Sequence, residues 1–129
     1  MIRFEHVAFN VPDARAAARW YCDNLGFSIV RQQGEPPYMS FIADSGRNFM
    51  FEFYSRDDAA YFDPNGMHDV TTHVAMHTDD IDADRAQLIA AGATASGEIT
   101  TNPAGDKLCF MRDPHGVILQ LCQRKVRML

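Results

Sequence analysis

The chain has 129 residues, 12 Lys+Arg against 17 Asp+Glu, 47% hydrophobic and 22% charged residues; these values suit a packed globular chain and exclude a disordered or fibrous one. A net charge of −5 argues against nucleic acid as the main partner, since phosphate binding needs a basic footprint. No apolar run nears the ~20 residues of a membrane span, and the charged, alternating N-terminus is unlike a signal peptide.

In chain order, residues 2–11 alternate as a strand, and Pro12-Asp13 mark a helix start. Ala16, Ala17, Trp20, Tyr21 and Leu25 have the spacing of an amphipathic helix over 14–25, which Gly26 stops. Strands are expected near 27–33, 38–44 and 48–55, separated by Gly34-Glu35-Pro36-Pro37 and Ser45-Gly46. A segment at 57–68 follows, either a tether or a flap over a site. Beyond it come a strand at 70–78, a helix at 81–91 and strands near 94–100, 107–112 and 117–124. Asn102-Pro103-Ala104-Gly105 and Asp113-Pro114-His115-Gly116 supply the turns. The Asp79-Asp80-Ile81-Asp82 run reads as helix-start capping.

The chain repeats itself. His6-Val7-Ala8-Phe9-Asn10 recurs as His73-Val74-Ala75-Met76-His77, and the strand around Glu52 recurs around Gln120. The expected fold is therefore α+β: two tandem βαβββ modules, about 1–56 and 69–125 with linker 57–68, in one domain 1–129 whose curved mixed sheets form a cup. Strand parity sorts the residues. Val7 and Phe9, and Phe51 and Phe53, should pack under the first helix, as Val74, Met76, Leu119 and Leu121 should under the second. His6, Glu52, His73 and Gln120 stand on the opposite faces, mid-strand among apolar residues. A carboxylate there is costly unless it is paired or bound to a cation. Two imidazoles, one carboxylate and one amide oxygen suit a divalent transition metal with open positions, and the repeat makes 6 equivalent to 73 and 52 to 120. Zn, Ni, Mn, Co and Fe(II) all fit such donors.

At these residues the sequence resembles the vicinal oxygen chelate superfamily, which includes glyoxalase I, methylmalonyl-CoA epimerase, fosfomycin-resistance proteins and extradiol dioxygenases. Supporting features are His6, Trp20-Tyr21 through Leu25-Gly26-Phe27, His73-Val74-Ala75, and Asp113-Pro114-His115-Gly116 leading into Leu119-Gln120-Leu121. The resemblance implies metal ligands on the first and fourth strands of each module, which are His6, Glu52, His73 and Gln120. It departs at Gln120, where the family usually has Glu. It implies a substrate that chelates the metal through neighbouring oxygens, an enolate or enediolate, and a base, for which Glu52 is the candidate. The expected activity is a metal-dependent lyase or isomerase of glyoxalase type. The alternatives are a metal-free binder like the bleomycin-resistance proteins and an Fe(II) extradiol-type dioxygenase.

The remaining polar residues receive plainer expectations. Tyr54 and His77 share the faces of Glu52 and His73 and are candidate substrate contacts; His68 and His115 are loop residues. Arg47, Arg56, Lys107 and Arg112 read as solvated strand-end charges, and Trp20 and Tyr21 as helix-to-sheet packing. Three cysteines without CxxC spacing, Cys22, Cys109 and Cys122, suit reduced thiols in the cytoplasm, and Cys122 lacks a base to make it a nucleophile. Open sheet edges lead to the expectation of a homodimer acting on a small molecule.

Overall fold

Two aspartates start the two helices of the computed structural model, which describes residues 1–128. Asp13 accepts a hydrogen bond from the Ala16 backbone N–H at 2.9 Å and caps α1 (Ala14–Leu25). Asp80 does the same for Ala83 at 3.0 Å and caps α2 (Ile81–Ala90). Gly26 ends α1 in the left-handed region at φ 69°, which costs glycine nothing because it has no Cβ.

The chain divides into two compact units, Met1–Asp63 and Pro64–Leu129. In unit 1, β1 (His6–Asn10), β2 (Ser28–Gln32), β3 (Ser40–Ala43) and β4 (Met50–Tyr54) form one sheet in the order β1-β4-β3-β2. β1 runs parallel to β4, while β4–β3 and β3–β2 are antiparallel. Unit 2 repeats this with β5 (Val74–His77), β6 (Thr94–Thr101), β7 (Lys107–Arg112) and β8 (Ile118–Gln123), ordered β5-β8-β7-β6. The strands are mostly shorter than the alternating runs that announced them. β1 begins at His6, and β5 begins one residue after His73.

The core of unit 1 follows parity. Phe51 and Phe53 of β4 are fully buried, as is Tyr21 of α1. The Tyr21 ring lies 5.1 Å from that of Phe51 and 5.4 Å from that of Phe53. Burying one such ring is worth about 2–3 kcal/mol, and truncating it to alanine costs about 3–5 kcal/mol. In unit 2, Ile81 and Leu88 of α2 are buried, with Met111, Leu119 and Leu121.

Two expectations are corrected. Segment 57–68 is not a free tether. Asn10 on β1 donates from its side chain to the carbonyls of Arg56, Ala59 and Ala60, and its own carbonyl accepts from Phe62 N–H at 2.7 Å. Arg112, expected to be solvated, donates to the carbonyls of Pro64 and Met67 and to Asp69. Each end of the segment is thus tied to its own unit, because backbone carbonyls leaving a strand need donors. Arg56 and Lys107 do sit at the surface, paired with Asp58 and Asp82.

Candidate metal centre

Cross-strand register brings the first two candidate ligands together. His6 pairs with Met50 and Ala8 with Glu52, so His6 and Glu52 are diagonal neighbours on one sheet face. His6 Nε2 lies 3.1 Å from Glu52 Oε2, with the side chains 29% and 13% exposed. The other ring nitrogen, Nδ1, lies 2.7 Å from Oε2 of Glu5. Phe41, the β3 partner of Glu52, sets its ring at 83° to the imidazole with centroids 5.3 Å apart.

Unit 2 repeats the register and the flanking ring. His73 immediately precedes β5, and Gln120 of β8 pairs with Ala75, as Glu52 pairs with Ala8. Phe110, the β7 partner of Gln120, meets the His73 ring at 80° and 5.1 Å. His73 Nδ1 lies 3.0 Å from the carbonyl oxygen of Asp69. A carbonyl only accepts, so Nδ1 carries the hydrogen and Nε2 keeps the lone pair of the neutral ring. Gln120 Oε1 accepts from the Cys122 thiol at 3.3 Å.

These donors fit a divalent cation chemically. Two atoms each about 2.1 Å from a common ion are about 3 Å apart when they subtend nearly a right angle, close to the His6–Glu52 separation. Both Nδ1 atoms are engaged outside the face, which is how imidazoles that bind metal through Nε2 are held. Among the described residues, no three of His, Cys, Asp and Glu gather as a group that could hold a metal ion. His6 and Glu52 lie in unit 1, and His73 and Gln120 lie in unit 2.

The other candidates lie as follows. Tyr54 is half-buried at the end of β4, on the Glu52 face and paired with Asn10. His77 is exposed, and its Nε2 lies 3.1 Å from Asp79 Oδ1. Burial pushes the Cys109 and Cys122 thiols above their ordinary range, which keeps them neutral and poor as nucleophiles. Asp113 accepts from the N–H groups of His115 and Val117, so the Asp113-Pro114-His115-Gly116 motif is a turn. Sequence reasoning missed Glu5, Phe41 and Phe110. The signal for the two phenylalanines was available, since each stands two residues before the end of the strand that precedes the ligand strand, but register decides that they flank the histidines.

Comparison with known proteins agrees with this architecture. The family model of the glyoxalase/bleomycin resistance protein/dioxygenase superfamily matches residues 3–121, and the chain belongs to that superfamily. A curated relative, a 4-hydroxyphenylpyruvate dioxygenase of Caenorhabditis elegans, is 30% identical over 115 residues. That match takes in 81% of this chain but only 28% of the relative, so the chain spans under a third of its length. A superfamily member from Sphaerobacter thermophilus superposes with a TM-score of 0.74 at 20% identity, covering 95% of this chain and 98% of that one. TnmS3, an antibiotic-binding protein from Streptomyces, gives 0.71 at 21% identity, covering 97% and 98%. At these identities the two structures bear on the fold alone. No helix is long and apolar enough to cross a membrane among the described residues.

Proposed function

We propose that this protein is a divalent-metal-dependent lyase or isomerase of the glyoxalase type, with both units acting as one domain. The observation that carries the reading is the His6 Nε2–Glu52 Oε2 approach at 3.1 Å on a half-buried face, repeated in kind by His73 beside the Gln120 strand. His6, Glu52, His73 and Gln120 would hold the ion, which would supply stabilisation of negative charge developing on a substrate's neighbouring oxygens. Glu52 is the one carboxylate of the set and the candidate base: it takes a proton from the carbon next to those oxygens and returns it. Phe41 and Phe110 exclude water beside the two imidazoles. Tyr54 is placed to contact the substrate, and His77 is a second such candidate at the rim. Open edges on β1 and β2, and on β5 and β6, support a homodimer.

Elemental analysis and titration with Zn2+, Ni2+, Mn2+, Co2+ or Fe2+ test the reading. The wild type should bind one ion tightly, and Glu52→Gln should weaken binding by more than about 100-fold and abolish proton exchange on 2-oxoaldehydes, thiohemiacetals or acyl-CoA compounds. A wild type that binds no divalent ion overturns it and favours a metal-free binder. The relation to a dioxygenase favours a second reading, Fe(II)-dependent oxygenation. Oxygen uptake with 4-hydroxyphenylpyruvate or a catechol would establish it. Gln120 weighs against it, since the one carboxylate of the two-His set that suits Fe(II) would have to come from Glu52 and not from the last ligand strand.

A further inference from the structure

Arg112 is the most fully engaged cation of unit 2, and the candidate metal centre leaves it without a task. Its guanidinium donates from Nη1 to Pro64 O at 2.9 Å, and from Nη2 to Met67 O at 2.8 Å and Asp69 Oδ1 at 2.9 Å. The Arg112 and Asp69 side chains are 25% and 18% exposed. A planar fork that meets three acceptors on one short segment fixes that segment's course, which a flexible ammonium would do less well. What the segment delivers is the Asp69 carbonyl, 3.0 Å from His73 Nδ1. The same β7 strand carries Phe110, two residues before Arg112, whose ring meets the His73 ring. One strand therefore controls the imidazole twice, through ring packing and through the carbonyl that holds its hydrogen.

We infer that Arg112 is a positioning residue for the unit 2 half of the site: by clasping 64–69 it aims the Asp69 carbonyl at His73 Nδ1, and so presents the Nε2 lone pair for a divalent cation. An unconstrained neutral imidazole carries its hydrogen mainly on Nε2, the wrong nitrogen for this task, so the tautomer must be imposed. A carbonyl imposes it only while it stays in line with the ring, and the clasp ties Asp69 to the β7 strand through its side chain. Phe110 alone would hold the ring plane without choosing the nitrogen. The inference rests on the metal-centre reading for its purpose, but the tautomer is a property of the metal-free protein.

The test is long-range 1H–15N correlation of the His73 ring in the metal-free full chain at about pH 8, paired with Co2+ titration. The wild type should show the Nδ1–H form. Arg112→Met should move His73 to the Nε2–H form or a mixture and weaken Co2+ binding about 10–100-fold, while Arg112→Lys falls between the two. A wild-type Nε2–H ring overturns the inference, as does a folded Arg112→Met protein whose ring and Co2+ affinity match the wild type. Where Arg112→Met does not fold, an Arg112→Lys protein with an unchanged ring and affinity overturns it equally. A ring that responds to Arg112 in a protein that never binds Co2+ supports the clasp and sinks the metal-centre reading instead.

Discussion

Asn10 and Arg56 are joined twice: the Arg56 backbone N–H donates to Asn10 Oδ1 at 2.8 Å, and the Asn10 amide donates to the Arg56 carbonyl at 3.0 Å. The two residues lie 46 apart in sequence, and Asn10 is buried. The bond closes the exit of β4 against the end of β1, in the same parallel pair that sets His6 beside Glu52.

Asn10→Ala is accordingly expected to destabilise the protein by about 2–3 kcal/mol, because it strands a backbone N–H and carbonyls that lose their partner. Asn10→Asp keeps the acceptor but turns a negative charge toward carbonyl oxygens, and it should cost at least as much. Urea unfolding of both variants, with the denaturant slope unchanged, checks this. A midpoint equal to the wild type for Asn10→Ala would refute it.

Asp106 predicts an acid response. The Lys125 backbone N–H, Arg124 and Asn102 all donate to its carboxylate, and the backbone bond is the chief cause that holds its pKa below the ordinary range. A carboxylate lowered on folding adds stability that is complete above its unfolded value of about 3.9 and is lost as pH falls through its lower folded value. Asp106→Asn removes that titration. The variant should be less stable than the wild type at pH 7, and the gap should narrow as pH drops below about 4. Thermal unfolding at pH 7 and in acid measures the gap; a gap that widens in acid contradicts the assignment.

The three thiols should separate by reactivity. Burial raises all three, Cys22 with help from Asp23, but Cys22 is only half-buried, whereas Cys109 and Cys122 are buried. Alkylation of the native protein near neutral pH should label Cys22 first, and the other two at the rate of opening. Peptide mapping of the modified protein, native and in urea, reads the order. Rapid native labelling of Cys122 would contradict its place beside Gln120.

Local chemistry explains what was legible beforehand. Asp13, Gly26 and Asp80 act on neighbours within a turn, so the helix ends followed from residue type alone. Alternation assigned Phe51 and Phe53 to the core, and repetition of the His-Val-Ala segment gave two modules of one topology. Arg112 was misjudged for the opposite reason. Its acceptors lie 43 to 48 residues earlier, and a lone arginine at a strand end carries no mark of them. Glu5 was overlooked because alternation would send it to the face away from His6; it precedes β1, where strand parity does not bind it.

Residue order by itself determined the element types, the duplication and, within unit 1, the sheet face that His6 and Glu52 share, because hydrophobic period and capping are short-range properties. Tertiary structure alone decided that Phe41 and Phe110 brace the imidazoles, that Asn10 and Arg112 hold the segment between the units, and that His73 bears its hydrogen on Nδ1. Those outcomes depend on strand register and on hydrogen bonds across long stretches of chain, where donors find acceptors only after the sheets have formed.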